Sequence, residues 1–172
     1  MKLPLVPSHA FREYTDISPG FLKELGVRFL MLDLDNTIAR YSEHLPTEAV
    51  LQWVGEMSDN NIELFFISNS KRKTRVDVFA RVFGIGFMKD AHKPSPECLL
   101  RAMEQRNLDA CESAFLGDQI FSDTLAANRA GVISIVVRPL SLKNPLLLLR
   151  YAAEAPFRAV CALRARKPTC GN

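Results

Sequence analysis

Asp33 and Asp35, one residue apart, follow a mostly apolar run from Val27 to Leu32 and precede Asn36 and Thr37. A run of that kind, rich in Phe, Leu and Val, fits a strand buried on both faces of a parallel sheet. In open α/β sheets ligands gather beyond the carboxyl ends of the strands, so the two acids stand where such a fold does chemistry. Residues two apart in an extended segment share a side, and both carboxylates can address one small volume. Unpaired, they would repel by roughly 1–4 kcal/mol across effective dielectrics of water down to a protein surface. Something cationic must hold them, and hard oxygen ligands suggest Mg2+. The simpler alternative is a polar turn at a strand end, where Asp and Asn are common.

Polar groups recur at the ends of later apolar segments. Ser68 and Asn69 close the run Ile62–Ile67, Lys93 stands ahead of the next buried run, and Gly117 and Asp118 end that run, with Asp123 further on. Several acids, a hydroxyl–amide pair and a lysine suit phosphoryl transfer, which needs a nucleophile, a metal and fixed positive charge on the phosphoryl oxygens. Each has a plainer reading alone. Ser68 and Asn69 suit an ordinary turn, Lys93 before Pro94 a solvated loop, and Asp118 and Asp123 a helix N-terminus whose dipole favours acids. Asn128 and Arg129 read as structural.

The elements that would position these groups alternate. Ser18 with Pro19 starts a short helix that Gly26 stops, and the first strand follows. Thr47 caps a helix over about 48–60, with Val50, Leu51, Val54 and Met57 on one face. A second strand covers 62–67, then a helix over about 74–83 buries Val76, Phe79, Ala80 and Phe83. A short third strand at 85–88, a helix from Ser95 and Pro96 to about 106, a fourth strand at 113–116, a helix over 122–130 and a fifth strand at 132–137 complete the pattern. Alternation at this spacing indicates βαβ units and a parallel sheet. The expected fold is a five-stranded α/β sandwich, with residues 1–140 as the catalytic domain (core 27–137) and 141–172 as a basic helical tail.

The chain of 172 residues is 48% hydrophobic and 24% charged, ordinary for a globular protein. Its net charge of +3 is uneven: from Arg138 onward seven Lys/Arg face the single acid Glu154, leaving the tail at +6 and the rest at −3. Cys98, Cys111, Cys161 and Cys170 form no Cys-x-x-Cys pair, and His9, His44 and His92 complete no zinc spacing. Reduced thiols and a cytoplasmic setting are the expectation. Pro4, Pro7, Arg12 and Glu13 interrupt any signal-peptide core, and no apolar segment is long enough to span a bilayer.

In order and spacing, Asp33-Leu34-Asp35-Asn36-Thr37, Ser68-Asn69, Lys93 and Gly117-Asp118 with Asp123 resemble the four motifs of the haloacid dehalogenase (HAD) superfamily of phosphatases. Ser68-Asn69-Ser70, His92-Lys93-Pro94, Gly117-Asp118-Gln119 with Asp123, and Asn128-Arg129-Ala130-Gly131 resemble its YqeG-type class III branch, related to mitochondrial phosphatidylglycerophosphatases. The resemblance implies a Rossmann-like three-layer sandwich with strand order 3-2-1-4-5, and the following roles. Asp33 attacks phosphorus and becomes an aspartyl phosphate. Asp35 protonates the leaving alkoxide and then deprotonates the attacking water. Ser68 and the Asn69 amide hold phosphoryl oxygens, and Lys93 neutralises nucleophile and phosphate. Asp33, the Asp35 carbonyl and Asp118 bind Mg2+, and Asp123 either supports the metal from behind its ligands or orients Lys93.

Members of the superfamily often insert a cap between the first and second motifs or between the second and third. Here those intervals hold one helix each, so a cap-less enzyme is expected. Its substrate would be a phosphate on a large carrier, unless another subunit of a homo-oligomer supplies a lid. Lys71, Arg72, Lys73 and Arg75 after the second motif either steer an anion or are a solvated helix start. In the tail, Asn144-Pro145 starts a helix that Pro156 breaks or kinks, and Leu146–Leu149 surround its axis. This tail either docks on the sheet or lies peripherally on an anionic membrane. The expected function is Mg2+-dependent phosphomonoester hydrolysis, with phosphatidylglycerophosphate the named substrate the resemblance suggests. The alternatives are a soluble or protein-bound phosphate, or a non-catalytic assembly protein with an RNA-bound or GTPase partner. Direct nucleic-acid binding is not expected.

Overall fold

In the computed structural model, which describes residues 3–69 and 73–165, the strands are β1 (His9–Ala10), β2 (Phe29–Leu32), β3 (Glu63–Ile67), β4 (Gly86–Met88), β5 (Ser113–Gly117) and β6 (Ile133–Val136). The helices are α1 (Pro19–Glu24), α2 (Glu48–Asp59), α3 (Lys73–Phe83), α4 (Glu97–Glu104), α5 (Leu125–Ala130) and α6 (Pro145–Ala165). Lys71 and Arg72 of the proposed steering cluster, and Arg166, Lys167 and Cys170 of the tail, lie outside the described residues.

All six strands are parallel, in the order β1-β6-β5-β2-β3-β4. From β4 inward this is the expected five-strand order, with β1 added at the far edge; the expectation of five strands is corrected to six. β1 is two residues between Pro7 and a bend, too short to carry a pattern of its own. Its existence rests on pairing with β6, where Ser8 N donates to Ser134 O and Phe11 N to Val136 O, each at 2.9 Å.

Alternation along β2 builds a three-layer structure. Phe29 and Met31 pack with Leu99, Ala102 and Met103 of α4 and Ala126, Ala127 and Ala130 of α5. Leu30 and Leu32 face the other way, into a layer made by Leu22 of α1, Val50, Val54 and Met57 of α2, and Val76 and Phe79 of α3. Both faces of the central strands are therefore apolar, as a parallel sheet between helices requires.

Local differences have local causes. Ser18 caps α1 by accepting from Phe21 N at 3.1 Å. On α2, Leu51 is 46% exposed, and Trp53 is buried in the place expected for it. Positions 50, 53, 54 and 57 make the inward stripe, and the Trp53 indole donates to Ile17 O at 3.0 Å. The helix expected over 122–130 is a π-helical turn, Ile120–Thr124, running into α5, which Gly131 ends in the left-handed region. α6 continues through Pro156 rather than breaking there. The missing N–H removes one ladder bond, but polar anchors on either side, described below, hold the helix to the domain. Among the described residues no helix is long and apolar enough to cross a membrane.

Candidate active site

β2 ends where Asp33 N donates to Leu116 O at 2.9 Å, so the carboxyl ends of β2 and β5 are laced together just as their acidic residues begin. The chain then turns through Asn36, whose φ of 66° is in the left-handed region that Asn tolerates better than most residues. Asn36 is fully buried. Its N–H donates to Ala39 O, its carbonyl accepts from Leu140 N, and its amide pairs in both directions with the Ser141 backbone, all at 2.8–2.9 Å. The turn carrying Asp33 and Asp35 is thereby tied to the segment leading into α6.

Lys93 joins three of the expected residues. Its ammonium donates to Asp33 Oδ1 at 2.6 Å, pairs with Asp123 Oδ1 at 2.8 Å and donates to Ile67 O at 3.1 Å. The side chain is 2% exposed. Asn69 holds the Lys93 backbone from both sides: its Oδ1 accepts from Lys93 N at 3.0 Å and its Nδ2 donates to Lys93 O at 3.1 Å. A solvated loop lysine is thus ruled out. Burial works against the Lys93 charge, yet Asp123 and Asp33 raise its pKa well above the ordinary lysine range.

Asp123 uses both oxygens within the protein, since Oδ2 accepts from Gln119 N at 3.0 Å. Gly117 makes this possible, because a Cβ there would lie 2.4 Å from the Asp123 carboxylate. Asp118 is 1% exposed and, like Asp33, has the buried Thr37 hydroxyl near it: Thr37 Oγ1 is 3.4 Å from Asp33 Oδ2 and 3.3 Å from Asp118 Oδ1. Burial lifts the Asp33 pKa to about 7, against the lowering effect of Lys93 and with Asp123 and Asp35 adding to the rise. Burial, then Asp123 and Asp33, raise Asp118 well above the ordinary carboxylate value.

Asp35 has a different partner. The Arg75 guanidinium of α3 closes on its carboxylate through Nη1, donates to Arg40 O through Nη2, and lies over the Phe79 ring with its centroid 5.4 Å away. Arg75 is 6% exposed, so it is neither a steering residue nor part of a solvated helix start.

These groups border a cleft of about 710 Å3 lined by Asp33, Asp35, Asn69, Lys93 and Asp123, with Tyr41, Phe121 and Arg150 among its other walls. Ser68, also expected at the site, is buried beside Asn69 and outside the cleft lining; its backbone joins Met88 and Ala91. Burial and the surrounding Asp118, Asp35 and Asp33 push the Tyr41 pKa to about 12. Thr37 stood in the first motif without a role of its own, Tyr41 carried no signal in the sequence, Arg150 only that of the basic tail, and Arg75 only that of a basic cluster.

Four carboxylates (Asp33, Asp35, Asp118 and Asp123) stand against two buried cations, Lys93 and Arg75. The resulting negative surplus, and the raised pKa values it helps to cause, suit a divalent cation. Oxygen atoms of Asp33, Asp118 and Asp123 lie within 4.8 Å of one another. An all-oxygen donor set is the chemistry of Mg2+ and similar hard ions. With Asp123 spent on Lys93 and Gln119 N, Asp33 and Asp118 are the carboxylates best placed to hold one.

A parallel sheet between two helical layers, with acids, an amide and a buried lysine at its carboxyl edge, defines a three-layer α/β enzyme domain. Residues 9–131 match the family model of haloacid dehalogenase-like hydrolases, and the chain belongs to that family. A Bacillus subtilis (strain 168) protein named "Probable phosphatase YqeG" is 29% identical over 164 residues, covering 95% of this chain and 94% of its own. Two uncharacterized proteins of known crystal structure share the fold. One, from Listeria monocytogenes serotype 4b, is 18% identical with a TM-score of 0.51, over 70% of this chain and 80% of its own. The other, from Corynebacterium glutamicum, is 12% identical with a TM-score of 0.52, over 74% and 94%.

Proposed function

We propose that this hydrolase is a Mg2+-dependent phosphatase of phosphomonoesters, working through an aspartyl phosphate on Asp33. The observation that carries the reading is the buried Lys93 ammonium fixed between Asp33 and Asp123 beside Asp118. An ammonium that bridges two buried carboxylates in the cleft wall is fixed positive charge of the kind phosphoryl transfer uses.

Asp33 attacks phosphorus in line with the ester oxygen. The P–O bond to the alcohol breaks, and the departing alkoxide takes a proton from Asp35. Water then attacks the aspartyl phosphate, gives a proton to Asp35, and inorganic phosphate leaves as the P–O bond to Asp33 breaks. Lys93 neutralises charge on Asp33 before attack and on the phosphoryl oxygens during it. The Asn69 backbone N–H orients those oxygens, while Asp123 holds Lys93 in place and Arg75 holds Asp35. Asp33, Asp118 and the Asp35 carbonyl would hold Mg2+, which supplies charge neutralisation at the phosphoryl group when bound.

The name of the Bacillus subtilis relative supports a phosphatase. A lipid phosphate such as phosphatidylglycerophosphate is the proposed substrate. Its support is the sequence resemblance, the lack of a cap between β2 and β3 among the described residues, and the apolar side chains Leu146, Leu148 and Leu149 that α6 exposes. Contact with a membrane surface through α6 is part of the same proposal. Phosphate release from phosphatidylglycerophosphate in mixed micelles and from an aryl phosphate, with Mg2+ or EDTA, tests it against an Asp33→Asn control. Turnover of the aryl phosphate alone would discard the lipid and keep the chemistry. No turnover above the control on either would leave an assembly protein.

A further inference from the structure

Arg150, Glu154 and Arg158 are spaced by four, so they form one row on the face of α6. That row grips the loop after β5. Arg158 donates to Asp118 O at 2.7 Å and to Val137 O at 3.1 Å. Glu154, 1% exposed, accepts from Ile120 N at 2.8 Å and from Phe121 N at 3.2 Å through Oε1. Arg150 donates to Gln119 Oε1 and lines the catalytic cleft. Two members of the row are structural anchors; the third delivers a charge to the site.

The state of that charge sets Arg150 apart. Lys93, the other cation lining the cleft, is neutralised by Asp33 and Asp123, and the nearby Arg75 by Asp35. Arg150 is bonded to a neutral amide, and no carboxylate pairs with it among the described residues. Its backbone is held by anchors one and two turns further along the helix. A guanidinium positioned in this way offers planar, paired donors suited to a phosphate-type anion. The reacting phosphoryl group already has Lys93, which leaves Arg150 free to meet a second anionic group on the substrate.

We propose that Arg150 is a specificity-determining residue that binds a second phosphate-type group, beyond the phosphoryl group that reacts. The assignment rests on the phosphatase reading above and deepens it. The second anion belongs either to a lipid headgroup phosphodiester or to a soluble bisphosphate, and the experiment separates these sources.

Wild type, Arg150→Gln and Arg150→Lys are compared on p-nitrophenyl phosphate, fructose 1,6-bisphosphate and phosphatidylglycerophosphate micelles. Loss of a charge-assisted hydrogen bond is expected to lower kcat/KM for the two-anion substrate about 10- to 100-fold more than for the aryl phosphate, mainly through KM. Arg150→Lys is expected to recover part of the loss, which a merely structural role of the side chain would not produce. A selective loss confined to the micelles assigns the lipid source, and one confined to the sugar bisphosphate the soluble source. An equal loss on all three substrates, or no loss on any, overturns the role of Arg150. Absence of turnover by the wild type on all three overturns the phosphatase reading, and this assignment with it.

Discussion

Arg75, from the helix after the second motif, is closed on Asp35, from the end of the first strand, with both side chains buried. The pairing ties α3 to the cleft. In the proposed mechanism Asp35 exchanges a proton with the leaving group and needs a fixed aim, and a second bond from Arg75 to Arg40 O keeps the guanidinium from turning away. Arg75→Met is expected to lower kcat by about 10²-fold, the lower end of what a general acid–base group contributes. Arg75→Lys should recover part of that loss, and Arg75→Met should add little in an Asp35→Asn background. Steady-state kcat and KM of wild type, the three single variants and the double variant decide the matter.

Asp33→Asn removes the proposed nucleophile while keeping its shape. Turnover is expected to fall at least about 10³-fold, the scale on which covalent machinery fails when its nucleophile is lost. Rapid acid quench of wild type with substrate should show phosphate bound to protein, absent in the variant. An Asp33→Asn protein that still forms the adduct would place the nucleophile elsewhere.

Lys93→Met leaves Asp33 and Asp123 facing each other without their shared ammonium. Removing one partner of a buried pair typically costs about 3–5 kcal/mol, and urea unfolding of the metal-free protein should show a loss of that order. A second change, Asp123→Asn, should return part of it by removing one of the stranded charges.

Asp33 and Asp118 both have raised pKa values in the fold, chiefly through burial. A carboxyl that binds its proton more tightly when folded adds stability at low pH. For Asp33 that contribution is fully present below an ordinary 3.8 and is lost as pH rises through about 7. Asp118→Asn should therefore stabilise the metal-free protein more at pH 8 than at pH 5. Mg2+ competes with those protons, so the rise in Tm it brings to wild type should grow over the same interval and be largely lost in Asp118→Asn. Thermal denaturation with Mg2+ or EDTA across this pH range tests both statements; a pH-independent difference between the proteins refutes the linkage.

Leu146 and Leu149 are 75% and 69% exposed on α6. If they enter a bilayer surface, Leu146→Ser with Leu149→Ser should lower the partition constant onto anionic vesicles by at least about 10²-fold, since each buried leucine contributes about 1.5–3 kcal/mol. Equal partition of wild type and variant would remove α6 from any membrane role.

The parts of this site legible in the sequence are those whose position follows from a strand end. Asp33, Asp35, Asn69 and Asp118 each sit just past an apolar run, and the topology brings such ends together. Lys93 was legible through its motif, though not its burial. Arg75 was harder, because its partner lies on another element and helix periodicity alone does not tell a buried arginine from a solvated one. Glu154 and Arg150 were harder still. Their row is visible as a spacing of four, but nothing in the sequence says that the loop after β5 lies beneath it. β1 had no pattern to read, and Leu51 took the place of Trp53 because both are apolar at neighbouring positions.

The sheet protects its two margins by different means. β4, at one margin, is three residues long and is followed by Lys89, a short and charged edge that discourages pairing. At the other, the ladder of β6 is covered by β1, while Asn128 fastens Pro4 O and Val6 O to the domain at 2.8 and 3.1 Å. The N-terminal segment thus acts as a built-in guard strand. Cut away before Phe11, it would leave the apolar ladder of β6 as a template for a neighbouring chain, and the shortened protein would self-associate edge to edge while keeping every catalytic side chain.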